Sequence, residues 1–551
     1  MCIRDSYNKR AVEKRFEVGQ RVIVLLPDTT NKLLSRWQGP GIVVDVRSPH
    51  SYLIELEGGQ RRWLHANKLR SYYARVNEAL INNCAIVYDT DEEFGELPVI
   101  GTVSSDDPLP SARIDHTKLS HLTLEQQQHF LSLLDEFSDV FSEKPGLCKV
   151  GAHSIHVTPD FKPKRLRAYK VPELLKPEVA RQLQELLDLG FIQPSNSPMG
   201  SPIVLVLKGR HGQNGVRLCC DFRYLNKYTI SDAYPTPDIS DVIHRVGKAS
   251  MISCWDTRSG YWQLKVQPEH RWLTAFITDF GVFEWVKMPF GLKCASNSFI
   301  RAMQQVLQPI HDFSDSYVDD LATFSSDWQK HLVHVRSFLT VMRNSGMTLK
   351  LEKCEFAKPN VTFIGHVIGS GLHGPDPEKV ACVESIKPPL TKKEVRQLLG
   401  FFSYFRTYIS NFAEIAHPLT DLTRKQVPNQ IPWTDSHQQA LDALKKRLCE
   451  ATKLHVINHG QPCGILVDAS SVAIGGCLIQ WSVEGHEKPI TFVSSKLTAT
   501  QMAWSTIERE AYAVVYALRK FRNFIFGVQV TIFSDHNPSV IYENVHPRVQ
   551  S

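Results

Sequence analysis

The sequence predicts a multidomain protein of mixed α+β and α/β class, with a small β-barrel near its N-terminus. Its 551 residues, 42% of them hydrophobic, are enough for roughly three or four separate cores. Short β-like runs separated by Gly, Pro, Asn and Ser occupy residues 16–75, a spacing typical of a small antiparallel barrel. Two further groups of acidic residues follow apolar, strand-like segments, one near the middle of the chain and one towards its C-terminus.

The central group of acids indicates nucleotidyl transfer. Asp319 and Asp320 lie in the turn of the apolar segment DSYVDDLATF, and Asp256 ends the strand-like segment SMISCWD. Carboxylates from two neighbouring strands, directed at one point, are what a two-metal enzyme needs to hold divalent cations about 4 Å apart. A lone Asp-Asp pair is more often a solvated turn, so the interpretation depends on the sequence between the two sites.

That intervening sequence resembles the reverse transcriptase of gypsy-type LTR retrotransposons. After Asp256 come Gly260 with Tyr261, then FEWVKMPFGL over residues 283–292, then YVDD over residues 317–320, in the order of that family. Upstream, residues 201–230 resemble the family's fingers hairpin and the arginine-containing block that follows it. The resemblance implies a right-hand polymerase with fingers, palm and thumb.

Three positions depart from the family pattern. Cys294 and Ser296 stand where the family usually has Asn and Pro just after MPFGL, and His211 replaces an Asp in the fingers hairpin. None of these is an expected metal ligand.

The resemblance also implies roles for the acids. Asp256 and Asp319 would bind two Mg²⁺ ions, with Mn²⁺ as an alternative, and Asp320 would tune the site and ligate less directly. Arg217 matches the fingers arginine that meets the incoming triphosphate, because a guanidinium fork suits phosphate oxygens. Lys208 or Arg210 would supply a second cation, and the sequence leaves that choice open. The residues expected around the sugar and base are Tyr261, which would exclude a 2′-hydroxyl, Phe290 and Gly291.

The C-terminal group of acids repeats the metal-binding pattern on another scaffold. Asp468 comes at the end of the apolar, strand-like run in GILVDAS, and Asp535 comes at the end of the run in VTIFSDHNP. Between them Ser505 and Glu508 predict a helix cap, and Glu510 falls on the apolar stripe of that helix, which is unfavourable unless a partner or metal compensates it. Three strands, a helix and a strand follow the plan of an RNase H fold, and the segments resemble the gypsy-type RNase H. The resemblance implies that these three acids hold two metals that activate water against the RNA strand of a hybrid.

In that family a last helix and a fourth carboxylate follow, whereas this sequence ends at Ser551. We therefore expect a C-terminally truncated RNase H-like domain, with an active and an inactive endoribonuclease both left open.

Residues 16–75 resemble the C-terminal β-barrel of retroelement integrases, which helps to hold DNA, although an integrase catalytic core is not seen in the sequence. The predicted domains are residues 1–75 as this integrase-like barrel, 76–150 as an acidic linker and short helix, 151–372 as reverse transcriptase fingers and palm, 373–450 as thumb and connection helices, and 451–551 as the RNase H-like domain.

Composition and charge bear on the location of the protein and on its partners. No run approaches 18 apolar residues and no signal pattern opens the chain, so the sequence predicts neither a membrane span nor secretion. Twelve scattered cysteines without metal-site spacing favour a reducing, intracellular location, and the resemblance implies a cytoplasmic particle, the nucleus or both. Net charge is only +6, but a cluster of basic residues without an acid precedes the polymerase motifs and favours contact with a polyanion. Its members are Lys162, Lys164, Arg165, Arg167 and Lys170.

The sequence thus predicts an RNA-directed DNA polymerase of a retrotransposon with an associated RNase H domain. Its expected partners are an RNA template, a DNA primer, RNA–DNA hybrid and deoxynucleoside triphosphates, with DNA contact by the N-terminal barrel; the oligomeric state is left open. One alternative is a catalytically inactive or domesticated nucleic-acid-binding remnant. Another is an integrase or DNA-binding module, which only residues 16–75 support.

Overall fold

The computed structural model describes residues 21–27, 35–48, 51–55, 61–65, 69–71, 86–88, 109–207, 216–451 and 453–534. The chain forms two compact units. One comprises residues 1–89, 169–177 and 204–216, and the other comprises the remainder.

The first unit contains an antiparallel sheet in the order β4-β3-β2-β1-β5. Alternate residues of β3 are buried, as expected for a sheet with one face against a core. The small core consists of Val22, Val24, Val43, Tyr52, Ile54, Leu64 and Leu69. Closure into a barrel and the integrase resemblance remain predictions. The strands are β1 Arg21–Pro27, β2 Ser35–Ser48, β3 Ser51–Glu55, β4 Arg61–His65, β5 Leu69–Ser71 and β6 Ile86–Tyr88, the last parallel to residues 205–207.

The remaining strands are β7 Ile192–Pro194, β8 Ser201–Leu207, β9 Val216–Cys220, β10 Met251–Asp256, β11 Phe276–Thr278, β12 Gly281–Trp285, β13 Ser314–Tyr317, β14 Asp320–Ser325, β15 Glu355–Lys358, β16 Val361–Phe363, β17 His366–Gly369, β18 Leu372–Pro375, β19 Leu454–His455, β20 Cys463–Ala469, β21 Ala473–Trp481, β22 Glu487–Lys496 and β23 Val530–Ser534. The α-helices are α1 Pro110–Arg113, α2 Leu124–Glu136, α3 Lys176–Asp188, α4 Arg223–Tyr228, α5 Ile239–Gly247, α6 Ala295–Leu307, α7 Trp328–Ser345, α8 Pro377–Ala381, α9 Lys392–Tyr404, α10 Phe412–Ile415, α11 His417–Asp421, α12 Asp435–Cys449, α13 Ala499–Met502 and α14 Thr506–Ile525.

Part of the segment predicted as fingers and palm is an antiparallel sheet in the order β13-β14-β10-β15, called here the palm sheet or palm. Helix α7 packs against β14 and β10, and the ring of Trp255 on β10 stacks on Phe338 of α7 with centroids 4.9 Å apart. Phe356 of β15 meets the edge of the same indole. This aromatic packing beneath the sheet fixes the strands whose ends carry the central acids.

A second antiparallel group, β11, β12 and β7, forms the predicted fingers with β8, which runs parallel to β11. Hairpin β16–β17 and strand β18 follow the palm, and β19 joins their sheet. Helices α8 to α12 then share an apolar core around Phe402, Leu441 and Leu444. They occupy the segment predicted as thumb and connection. The five-part division of the chain itself remains a prediction.

The C-terminal sheet has the order β22-β21-β20-β23, with β23 parallel to β20 and the other pairs antiparallel. Helix α14 packs on β20 and β21 through Ala513, Ala517 and Phe521. It begins with the capping box predicted from Ser505 and Glu508. Three strands, a helix and a strand are therefore present as expected. No helix in the described part of the chain is long and apolar enough to cross a membrane.

Buried histidines give this fold an acid-sensitive component. Burial lowers the pKa of five of them, to about 3 for His244 and to about 4 for His153, His331, His366 and His373. The rings are held as hydrogen-bonding neutral groups, as where His331 bonds Ser253 at 2.8 Å and Ser325 at 3.0 Å. Tyr408 similarly links His366 to His373, at 2.9 Å from each.

We predict that stability falls as pH drops below about 6.5. Below the unfolded-state pKa the unfolded chain binds protons that the folded chain excludes. Each histidine therefore lowers the free energy of unfolding by about 2 kcal/mol at about pH 5 relative to neutral pH. Urea unfolding midpoints at about pH 7.5 and about pH 5 measure this effect, and His331→Gln should reduce the pH dependence. A midpoint that is unchanged or higher in acid would contradict the prediction.

Candidate active sites

The register of the palm sheet brings the central acids together. Antiparallel pairing of β10 and β14 places Asp256, the last residue of one strand, opposite Asp320, the first of the other. Tyr317 of β13 also pairs with Asp320, so Val318 and Asp319 form a two-residue turn. Val318 has φ 52°, a left-handed conformation that tight hairpin turns require and that is rare for a β-branched residue. The turn therefore presents Asp319 beside the opposed pair.

The three carboxylates repel one another. Burial raises the pKa of Asp319, and the charges of Asp320 and Asp256 raise it further, to about 6. Burial and Asp256 likewise raise the pKa of Asp320. Both residues nevertheless keep solvent-accessible surface, so the protein atoms around the turn desolvate the two carboxylates only in part. Ionising all three groups is therefore unfavourable without a compensating cation.

Lys353 partly supplies that compensation. Its Nζ lies 3.4 Å from Oδ2 of Asp256, and it lowers the pKa of Asp256 against the larger, opposing effect of burial. It also acts against the upward shifts at Asp319 and Asp320. Lys353 lies in a segment after the YVDD turn that resembles the same family, but the sequence did not predict its contact with Asp256.

The donor set suits a divalent cation that brings ligands of its own. No group of three or more His, Cys, Asp and Glu side chains in the described residues forms a ready-made metal site. Mg²⁺, however, is usually bound by one or two carboxylates together with substrate phosphates. The opposed, mutually repelling carboxylates fit a metal held jointly by protein and nucleotide.

Tyr261 stands next to these acids in an aromatic cluster. Its ring centroid lies 5.1 Å from that of Phe290 and 5.5 Å from that of Phe299, and its hydroxyl bonds Oγ of Ser296 at 2.8 Å. Burial, then the charge of Asp319, raises its pKa. Ser296, one of the departures from the family pattern, therefore orients the tyrosine hydroxyl.

Gly291 is held by a hydrogen bond from Asn226, which the sequence motifs did not predict. It has φ +86°, and Nδ2 of Asn226 donates to its carbonyl oxygen at 2.7 Å. The amide of Lys293 in turn donates to Oδ1 of Asn226 at 3.0 Å. Asn226, which belongs to the arginine-containing block within residues 201–230, thus holds the loop that follows Phe290.

Of the three residues predicted to contact the triphosphate, only Arg217 lies among the described residues. Arg217 lies on β9 with only 6% of its surface exposed, so contact with a triphosphate would require its side chain to turn outward. Lys208 and Arg210 lie outside the described residues, as does His211.

The C-terminal sheet gathers the second set of acids. Asp468 is exposed near the end of β20 and accepts a 3.4 Å hydrogen bond from Nδ2 of Asn411. Glu510 is buried on α14, and Oγ of Ser534 lies 3.5 Å from its Oε2. Parallel pairing sets Ser534 beside Val467, the residue before Asp468. Asp535 itself lies outside the described residues.

Comparison with known families agrees with this geometry. Residues 208–368 match the family described as reverse transcriptase (RNA-dependent DNA polymerase), and residues 433–532 match the RNase H-like domain found in reverse transcriptase. The chain contains a reverse transcriptase domain and an RNase H-like domain. The resemblance noted from the sequence motifs is thereby confirmed.

Among curated relatives, the chain is similar to the retrovirus-related Pol polyprotein from transposon 297 of Drosophila melanogaster, 32% identical over 445 residues covering 79% of this chain and 41% of the relative. It is also similar to that from transposon gypsy of the same organism, 34% identical over 396 residues covering 69% of this chain and 38% of the relative. The chain thus spans less than half the length of these relatives.

Among solved structures, the foamy viral protease-reverse transcriptase with dsDNA matches at TM-score 0.68 and 23% identity, covering 78% of this chain and 88% of that one. The same protein with RNA/DNA hybrid matches at TM-score 0.66 and 21% identity, covering 96% and 67%. These matches show that this chain and the foamy viral protein share a fold.

Gly260, beside the reverse transcriptase acids, lacks room for a side chain. A Cβ there would lie 2.6 Å from Oγ1 of Thr257 and 2.8 Å from Cζ of Phe299, the ring that supports Tyr261. We predict that Gly260→Ala destabilises the fold by about 1–3 kcal/mol through overpacking. Gly400 is the matched control, because nothing lies within 4 Å of its Cβ position and it sits inside α9.

Gly400→Ala should instead stabilise by about 0.5–1 kcal/mol, since alanine favours the helix. Urea unfolding of both variants measures the difference. Equal effects of the two substitutions would show that the Gly260 position can relax, contrary to this account.

Proposed function

We propose that this chain is an RNA-directed DNA polymerase that copies RNA into DNA by two-metal nucleotidyl transfer, with an RNase H domain that degrades the RNA of the hybrid. The observation that carries the proposal is the strand register that opposes Asp256 and Asp320 and puts Asp319 in the adjoining turn. It lies within the segment that matches the reverse transcriptase family.

In this proposal Asp256 and Asp319 hold two Mg²⁺ ions, or Mn²⁺, and Asp320 adds negative potential and ligates less directly. When bound, the metals lower the pKa of the primer 3′-hydroxyl and neutralise the triphosphate. Lys353 balances the charge of Asp256. The support is electrostatic, because three mutually repelling carboxylates are stabilised by a divalent cation.

Tyr261, Phe290 and Gly291 would form the nucleotide pocket. The tyrosine ring, packed between Phe290 and Phe299 with its hydroxyl held by Ser296, is rigid enough to stack under the sugar and exclude a 2′-hydroxyl. Arg217, with Lys208 or Arg210, would meet the phosphates.

The RNase H part would use Asp468, Glu510 and Asp535. A buried carboxylate such as Glu510 is destabilising unless hydrogen-bond partners or a metal compensate its charge. Its position beside the paired strands β20 and β23, near Asp468, supports a metal-binding role. Both polymerase and RNase H enzymes generally depend on divalent metals.

The proposed partners are an RNA template, a DNA primer, RNA–DNA hybrid and deoxynucleoside triphosphates, and DNA for the N-terminal sheet. The foamy viral structures, solved with dsDNA and with RNA/DNA hybrid, support nucleic acid as the partner of this fold. Exposed Lys162, Lys164, Arg165 and Arg167 suit phosphate contact. An intracellular location is part of the proposal.

A second candidate is a nucleic-acid-binding remnant without turnover. One observation favours it: Arg217, the predicted triphosphate contact, is buried. Such a protein would bind template tightly and leave the primer unchanged.

Primer extension on an RNA template with Mg²⁺ and deoxynucleotides separates the two candidates. We predict extension by the wild type and a loss of at least about 100-fold in the variant with Asp319→Asn and Asp320→Asn, because stabilisation of the transferring phosphoryl group is removed. Asp312→Asn, at an exposed acid before β13, is the matched control and should keep full activity. A folded wild type that binds template tightly but never extends the primer would favour the remnant.

A further inference from the structure

The segment of residues 109–148, called here the upstream arm, packs closely on the palm. The ring of Phe130 on α2 lies 5.4 Å from that of Phe356 on β15. Backbone hydrogen bonds then join the arm to the chain that leaves α7: Leu147 donates to Gly346 at 3.0 Å, and Leu349 donates to Val140 at 2.8 Å. Part of the segment predicted as a linker and short helix is thus an integral element of the second compact unit.

The arm completes a closed ring of four charged side chains, called here the charge ring: Arg113, Glu143, Arg258 and Glu352. Arg258 contacts Oε2 of Glu143 at 2.9 Å and Oε2 of Glu352 at 3.4 Å. Arg113 contacts Oε1 of Glu352 at 3.1 Å and also pairs with Glu143. Each arginine therefore touches both glutamates, and charge alternates around the ring.

The composition of the ring makes it sensitive to loss of either acid. The arginine side chains are only 12% and 10% exposed, whereas those of Glu143 and Glu352 are 44% and 48% exposed. Removing one carboxylate would leave two largely buried guanidinium groups sharing the other, an arrangement that must relax because buried charge needs a partner. The two members from the arm, Arg113 and Glu143, are thus needed to hold the two from the palm.

The palm members adjoin the polymerase acids. Arg258 follows Asp256 by two residues, and Glu352 immediately precedes Lys353, whose Nζ lies 3.4 Å from Asp256. The two segments are also tied directly, since the amide of Lys350 donates to the carbonyl of Asp256 at 2.8 Å and that of Arg258 to Thr348 at 3.1 Å.

A third residue of the arm holds the backbone on both sides of Lys353. Nζ of Lys118 donates to the carbonyl of Glu352 at 2.5 Å and to that of Cys354 at 2.8 Å. The Lys353 side chain is itself 56% exposed and flexible, so its place beside Asp256 depends on the backbone from which it projects.

We infer that the upstream arm is a working part of the polymerase site, in which Arg113, Lys118 and Glu143 act as positioning residues that fix Lys353 against Asp256. This inference rests on the proposed polymerase function. It gives a role to the ion pairs that a segment so far upstream of the motifs makes beside the strand that carries Asp256.

The chain offers a matched pair of variants. Glu143→Gln removes one arm carboxylate from the charge ring. Asp139→Asn removes another arm carboxylate, which accepts from Nε of Arg343 on α7 at 2.8 Å and has no part in the ring. Both changes weaken contacts between arm and palm, but only the first reaches the segment that carries Lys353.

Two measurements on the full chain test the inference. In primer extension, Glu143→Gln should lower kcat by about 10- to 100-fold, the scale expected for small misplacement of a reacting group, with KM for deoxynucleotides and template affinity unchanged within about twofold. Asp139→Asn should retain the wild-type kcat. In hydrogen exchange, amides of residues 256–258 and 348–353 should exchange faster in Glu143→Gln than in Asp139→Asn.

Equal kcat and equal exchange in the two variants would overturn the inference, as would activity losses that merely follow the loss of stability in both. A wild type that does not extend primers would refute the proposed function instead. The exchange comparison would then still report whether the ring holds the backbone around Lys353.

Discussion

The repulsion among Asp256, Asp319 and Asp320 is the constraint on which the rest of the palm depends. Strand pairing forces two of these carboxylates opposite one another and the turn adds the third, so the sheet is held together against their charges. The stack of Trp255 on Phe338 and the ion pair of Lys353 with Asp256 act against that repulsion. Unfavourable charge kept at one place by favourable packing elsewhere is typical of a functional site.

The RNase H-like domain solves a related problem differently. There the parallel pairing of β20 and β23 and the packing of α14 bring Glu510 close to the strand end near Asp468. One acid is buried and the other exposed, with Asn411 of the preceding segment bonded to the exposed one. Strand pairing alone therefore sets the spacing of the palm acids, whereas here a helix packed on the sheet brings Glu510 towards the strand that carries Asp468.

The parts of these sites that could be predicted from the sequence are those marked by a short, contiguous pattern of residues. Asp256, Asp319 and Asp320 follow apolar strand patterns, and the cap at Ser505 and Glu508 is a four-residue signal, so both were found. Long-range contacts could not be predicted, because they join segments that are distant along the chain. Examples are the contacts of Lys353, Asn226, Asn411 and the charge ring. No local pattern marks Arg113 as a partner of Glu352. The roles of Lys208, Arg210 and Asp535 remain predictions, since these residues lie outside the described part of the chain.

The most direct test of this account is the stability of Asp319→Asn, compared with the wild type, with and without Mg²⁺ near pH 7.5. If the three carboxylates are held in repulsion for a metal, the variant should be more stable than the wild type without Mg²⁺, by about 1 kcal/mol after allowance for solvent screening. Added Mg²⁺ should stabilise the wild type and reduce that difference. A variant that is less stable than the wild type without metal, or a wild type that is indifferent to Mg²⁺, would contradict the central claim.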